Sequence, residues 1–233
     1  MADTIIVNEI FRSIQGEGTR AGLPCVFVRL TGCNLRCSWC DTAYAFTEGA
    51  RMTLDEVVSR VTQFDCNLVE LPGGEPLLQP ASLLLMMRLA NLGHTVLLET
   101  GGSLDIGGVD PRVIRIMDLK CPSSGECDRN RWQNIPRLRR DDEIKFVIAT
   151  REDYDWARQQ VGRLALADKC AVLFSWAQPL APEQRDPSLK PMPPGQHPIT
   201  MRELVERLLA DKLPVRFQLQ MHKYIWEPTA KGV

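Results

Sequence analysis

Apolar and polar positions follow one another along this chain in two rhythms. Short apolar runs over residues 25–30, 67–71, 95–99, 113–117, 143–149, 171–174 and 215–219 read as strands. Between them, Leu54, Val57, Val58 and Val61 recur at the spacing of one helical face. Thr53 opens that helix, and Glu56, three residues on, completes a capping box. Residues 81–92, rich in Leu and Met, and residues 152–166 and 201–209 read as further helices. Strand, polar or glycine loop, helix, strand is the pattern of a parallel α/β sheet or barrel. In such folds ligands collect where the strands end at their carboxyl side. The runs that could carry chemistry all follow predicted strands: a cysteine loop after residue 30, Pro72-Gly73-Gly74-Glu75-Pro76, Thr100-Gly101-Gly102, Asp118-Leu119-Lys120 and Gln220-Met221-His222-Lys223-Tyr224. Their shared placement argues for one composite site.

The 233 residues suffice for one α/β domain, so residues 1–233 are read as a single domain. No apolar run approaches membrane-spanning length, and Met1-Ala2-Asp3-Thr4 does not open a secretory signal. Eight cysteines in such a chain fit a reducing cytoplasm better than a disulfide framework. A net charge of −1 offers no field for nucleic acid. The one basic stretch (Arg129, Arg131, Arg137, Arg139 and Arg140) runs into Asp141, Asp142 and Glu143 and reads as a solvated surface. Residues 179–198 hold seven prolines, which makes an irregular loop, either a connector or a cover over the site.

Cys33, Cys37 and Cys40 form a CxxxCxxC triplet. Three thiolates from one loop can hold three corners of a cubic iron–sulfur cluster and leave the fourth iron open to a ligand, whereas closed electron-transfer sites use four cysteines. Structural zinc is the alternative, with Cys25 or Cys66 as the fourth donor, since zinc takes four ligands and no histidine lies close in sequence. Buried free thiols are a third reading, which the surrounding Gly, Asn and Arg fit poorly.

The triplet, with Trp39 before its last cysteine, resembles the radical S-adenosylmethionine (SAM) superfamily, and Gly73-Gly74-Glu75-Pro76 is similar to that superfamily's second motif. The run Phe11-Arg12-Ser13-Ile14-Gln15-Gly16-Glu17-Gly18, together with Cys40-Asp41-Thr42, Glu99-Thr100-Gly101, Asp118-Leu119-Lys120 and the C-terminal Gln220–Tyr224 run, is similar to the 7-carboxy-7-deazaguanine synthase family. The resemblance runs almost end to end. It implies a shortened, open (partial) TIM-type α/β barrel, a homodimer, and conversion of 6-carboxytetrahydropterin to 7-carboxy-7-deazaguanine with loss of ammonia, in queuosine or other deazapurine synthesis. It implies an electron donor such as a flavodoxin. By the same resemblance, Cys33, Cys37 and Cys40 hold a 4Fe-4S cluster whose open iron chelates SAM, and a 5′-deoxyadenosyl radical abstracts hydrogen from the substrate, so no residue is assigned as acid or base.

Residue by residue, Trp39, Cys40, Asp41, Gly74, Asp118, Leu119 and Lys120 match segments that approach SAM, and Phe174, Ser175, Trp176 and Ala177 match a fourth. Ile14, Gln15 and Gly16 match the N-terminal substrate segment, and His222 a residue near substrate at the far end. Arg29 matches a ligand of the substrate carboxylate, a task that suits a planar guanidinium. Thr42 matches a Mg²⁺ ligand; one hydroxyl suits an ion that keeps waters and takes oxygens from substrate. The chain departs from the family at three places. Pro72 stands where a substrate-touching threonine is frequent, and Gly102 stands where serine is common. Pro228 matches a substrate-side position that can end the chain, whereas here Thr229 to Val233 continue. Cys121 and Cys127 are too few for a second cluster, and Cys25, Cys66 and Cys170 read as packing.

Overall fold

A computed structural model describes residues 4–227 and 229–233. Nine strands form one sheet: β1 (Thr4–Ile14), β2 (Pro24–Leu30), β3 (Ala50–Thr53), β4 (Leu68–Leu71), β5 (Thr95–Thr100), β6 (Ile114–Leu119), β7 (Glu143–Ile148), β8 (Ala171–Trp176) and β9 (Arg216–Gln218). Their order is β3-β1-β2-β4-β5-β6-β7-β8-β9. From β2 through β9 the pairing is parallel, while β1 runs antiparallel to β2, and β3 to β1. The end strands β3 and β9 do not meet, so the barrel is open. Between the strands lie the helices α1 (Leu54–Thr62), α2 (Ala81–Asn91), α3 (Arg151–Arg163), α4 (Leu166–Lys169) and α5 (Met201–Asp211), and α6 (His222–Ile225) follows the last strand.

The expected elements all form, with shifted ends. Thr53 and Glu56 make the reciprocal capping box that starts α1, and Thr150 with Asp153 makes another at α3. β6 continues through Leu119 and β8 through Trp176, beyond the apolar runs that mark them in sequence. Two strands, β1 and β3, have no counterpart in the apolar pattern. A register shift between Val7 and Glu9 explains β1. An extra residue in a strand turns the following side chains to the other face. Ile5 and Val7 therefore pack in the helix-side core, whereas Glu9 and Phe11 face the hollow of the barrel.

Alternate residues of the parallel strands serve opposite faces. Val26, Val28, Val69, Leu71, Val96, Leu98, Ile144, Phe146, Ile148, Val172 and Phe174 meet the helices in the main core. There Phe146 and Tyr154 set their rings edge-on to Phe174, at 5.5 and 6.0 Å. On the hollow side Cys25, Leu68, Leu97 and Ile116, with Phe27 and Ile114 against them, form a small apolar floor. Above it the inner face turns polar.

Candidate active site

The cysteine loop leaves the carboxyl end of β2 and is tied down on every side. Gly32 donates its N–H to the carbonyl of Ala45 and accepts one from Glu75, both at 2.8 Å. A side chain at Gly74 would strike the Gly32 carbonyl and Cys33 Cβ, so glycine there lets the two loops dock directly. On the far side, Arg36 N–H donates to Glu126 Oε1 at 2.7 Å and Ser38 Oγ–H to the Ser123 carbonyl at 2.6 Å. Lys190, from the proline-rich segment, gives its N–H to the Arg36 carbonyl at 2.9 Å and pairs its ammonium with Glu126.

Cys33, Cys37 and Cys40 all line one cavity of about 590 Å³. Burial pushes the Cys37 thiol up to about 11 and Cys40 to about 12, and raises Cys33 as well. The Lys120 ammonium opposes this at Cys33 and Cys37. Lys120 pairs with Asp118 at 2.9 Å and lies 5.1 Å from the Trp39 ring centre. Asp118 Oδ1 and Trp39 Nε1 are buried with no hydrogen-bond partner among the described residues. Burial alone would raise the Asp41 carboxyl, but Lys223 at 2.5 Å and His222 hold it far below the usual carboxylate range. Thr42 Oγ1–H donates to Asp41 Oδ1 at 2.9 Å.

The rest of the cavity is the polar half of the barrel interior. Arg29 Nε donates to Glu9 at 2.7 Å, and its guanidinium lies 5.9 Å from the ring centres of both Phe11 and Tyr44. Tyr44 O–H also donates to Glu9, at 3.0 Å. Lys145 bridges Glu17, at 2.9 Å, and Glu99. Burial would raise the Glu17 carboxyl, yet Lys145, His222 and Gln220 bring it down to about 2. Gln15 donates to Glu70. His222, in the first turn of α6, presses so closely on Gly16 that a Cβ there would lie 2.7 Å from its Nδ1.

Of the residues singled out in sequence, Ile14, Gln15, Gly16, Arg29, Cys33, Cys37, Trp39, Cys40, Asp41, Thr42, Pro72, Gly74, Asp118, Lys120, Ala177 and His222 meet at this one cavity. Leu119 and Phe174 do not, because strand alternation sends their side chains into the helix-side core. Trp176 also points outward, its Nε1–H donating to the Ile199 carbonyl at 3.0 Å. Ser175 lies on the inner face against Gln218, beneath the cavity lining. Pro228 lies outside the described residues. Pro72 lines the cavity, but its carbonyl already accepts the Leu30 N–H at 3.0 Å. Gly102 takes a left-handed φ of +68°, and a side chain there would meet Met117 at 2.9 Å, so serine would be strained. Cys121 and Cys127 lie away from the cavity, as free thiols.

Several lining residues carry no motif: Glu9, Tyr44, Glu70 and Lys145. For Glu70 and Lys145 the signal is a charge in the middle of an apolar strand, in Leu68-Val69-Glu70-Leu71 and Glu143-Ile144-Lys145-Phe146. A buried charge needs a partner or a polar hollow to face. The proline-rich segment brings Glu183 to Pro187 to the rim, as a cover would. Residues 229–233 reach the same rim, where Lys231 pairs with Glu48 at 2.8 Å over the Tyr44 ring. In the basic stretch, Arg131 and Arg137 pair with Asp105, and Arg139 with Asp142.

An open parallel barrel with a three-cysteine loop at its carboxyl rim is the arrangement of the radical SAM superfamily, and the Radical SAM superfamily model matches residues 27–119. The chain is 44% identical to the 7-carboxy-7-deazaguanine synthase of Chlorobaculum tepidum, over 97% of this chain and 96% of that one. It is also 44% identical to the synthase of Koribacter versatilis, over 97% and 99%. The chain therefore belongs to the 7-carboxy-7-deazaguanine synthase family. The fold is shared with QueE from Escherichia coli, at a TM-score of 0.72 and 19% identity over 94% of this chain and 95% of that one. A solved SuiB from Streptococcus suis bound to S-adenosylmethionine superposes at a TM-score of 0.54 and 12% identity, over 81% of this chain and 48% of that one.

Family membership brings a 4Fe-4S cluster and SAM with it. The donor set fits. Three thiols from one loop line one cavity, and a cluster with one open iron would take three thiolates. The unpartnered Asp118 and Trp39 atoms beside them suit a polar cofactor. Among the described residues no helix is long and apolar enough to cross a membrane.

Proposed function

We propose that this chain contracts the ring of 6-carboxytetrahydropterin to give 7-carboxy-7-deazaguanine and ammonia, feeding deazapurine synthesis such as that of queuosine. The observation that carries the reading is one continuous cavity. It joins the three cysteines to a half-buried arginine and a ring of paired carboxylates, in a chain alike end to end to synthases of that name. When bound, the cluster and SAM supply the electron and the 5′-deoxyadenosyl radical for hydrogen abstraction. Cys33, Cys37 and Cys40 hold the cluster. Trp39, the backbone at Cys40 and Asp41, Gly74, Asp118, Lys120 and the backbone over residues 174–177 hold SAM, with Leu119 contributing main chain only.

Arg29 receives the substrate carboxylate. Its Nε is taken by Glu9, while its two Nη groups make no hydrogen bond to described residues, so they present a fork toward the cavity. Ile14, Gln15, Gly16, Pro72 and His222 surround the ring system. The Thr42 hydroxyl keeps lone pairs free after donating to Asp41 and holds Mg²⁺ together with substrate oxygens. The whole of residues 1–233 acts as one unit, Pro228 is the substrate-side position by family match alone, and residues 229–233 lie at the cavity rim. We further propose a cytoplasmic homodimer reduced by a flavodoxin, with native mass as the check on assembly.

Anaerobic incubation with SAM, reductant, Mg²⁺ and 6-carboxytetrahydropterin should yield a product of the mass of 7-carboxy-7-deazaguanine. Replacing Arg29 by Lys should lower kcat/KM for the pterin by about 10- to 100-fold, as loss of a bidentate charged pair does, while iron content stays at wild-type level. Full turnover in that variant would place the substrate carboxylate elsewhere.

A further inference from the structure

We propose that Glu70 is a specificity residue of this site, a neutral carboxylic acid that donates a hydrogen bond to an acceptor on the flat ring of the substrate. The inference rests on the pterin reading above.

Glu70 sits in the middle of β4, with Phe27 of β2 and Leu97 of β5 as its register neighbours. It marks the boundary between the apolar floor and the polar layer. It is 3% exposed and yet lines the cavity. Oε2 takes the Gln15 amide hydrogen, and Oε1 has no hydrogen-bond partner among the described residues. The charged and titratable groups around it are Glu99 on β5, Glu17 after β1, Lys145 on β7 and the Cys25 thiol on β2.

The charges decide its state. Lys145 is the one cation of this group, and it already bridges Glu17 and Glu99. A third carboxylate against Phe27 and Leu97 would be a buried charge without a counterion, a far costlier arrangement than a proton on one oxygen. Burial first, and then Glu99 and Glu17, drive the Glu70 carboxyl well above its ordinary value, against the weaker pull of Lys145 and Gln15. Glu17 and Glu99, both paired with Lys145, can only accept hydrogen bonds, whereas a protonated Glu70 can donate one. A pterin ring carries both donors and acceptors along its edge. A floor of carboxylates alone would leave the acceptors unpaired, and an unpaired buried polar group is what excludes a wrong ligand.

The test compares Glu70→Gln, Glu70→Ala and Glu70→Met in the cluster-loaded enzyme. Gln keeps a neutral donor, so its KM for the pterin should stay within about threefold of wild type, whereas Ala and Met should raise KM by about tenfold or more at little cost in kcat. Met fills the floor if Ala destabilises the fold. Gln as damaging as Ala, or Met without effect on KM, would overturn the proposal. A readout independent of the pterin is thermal stability against pH. A carboxyl raised on folding contributes stability that is complete below its unfolded value and is lost as pH rises through the folded one. The Tm of wild type should therefore fall relative to Glu70→Gln as pH rises from about 5 to about 9. A constant difference would mean Glu70 is ionised. A wild type that ignores the pterin while showing this pH trend would defeat the substrate reading alone and leave the protonated Glu70 standing.

Discussion

The two faces of the sheet are written in alternate residues of the same strands, and they obey opposite rules. On the helix side Val69, Leu71, Leu98, Phe146 and Phe174 pack into one apolar core. On the hollow side their immediate neighbours are Glu70, Glu99, Lys145 and Ser175, paired across the barrel or turned to the cavity. The first face gains its stability by removing apolar area from water. The second accepts buried charge, which stabilises little and costs much if unpaired, and in exchange positions polar groups around a ligand. Neither face could be altered without the other, because a one-residue slip in register exchanges them.

Three substitutions probe that division, beginning with the largest effect. Replacing Cys37 by Ala should reduce turnover to background, a loss of at least about three orders of magnitude, with the cluster's visible absorbance gone and the far-ultraviolet circular dichroism unchanged. A Cys37→Ala protein that still cleaves SAM would remove this thiol from the ligand set. Next, Phe174→Ala should cost about 3–5 kcal/mol of stability and lower Tm by roughly 6–20 °C. SAM affinity in the folded protein should be unchanged, because the ring lies in the helix-side core. Loss of SAM binding at an unaltered Tm would put Phe174 on the hollow side after all. Smallest, Thr53→Ala removes the oxygen that caps Glu56 N–H at 3.2 Å and should cost about 1 kcal/mol. Pterin turnover should be untouched, since α1 packs on the far side of the sheet; a kinetic change would show that the two faces are coupled through that helix.

Most strands and helices could be read from the chain because their apolar periods are uninterrupted. β1 could not, since the register shift at Val7 and Glu9 breaks its alternation halfway. The cysteine triplet, the glycine loop and the C-terminal run were visible as motifs. Glu70 and Lys145 showed only as charges inside apolar strands, without a motif, and Glu9 and Tyr44 carried no local sign of what they face. The segment over residues 174–177 shows the limit of a motif match. It was expected after a strand ending at residue 174, but β8 runs on through Trp176, and strand alternation turns Phe174 and Trp176 away from the hollow.

The local chemistry was therefore settled by order along the chain: three thiols in one loop, a glycine turn after a strand, an arginine on β2. These depend on spacing and backbone freedom within a few residues, which any sequence displays. Which charges become neighbours was settled by the curl of the sheet. It carries Glu17 from the first strand's end to Lys145 on the seventh strand, and brings Glu70 beneath them. Electrostatic state depends on distance and burial, and both arise between segments far apart in sequence. The cysteine loop could be recognised before folding. The proton on Glu70 becomes an inference only once the barrel has formed.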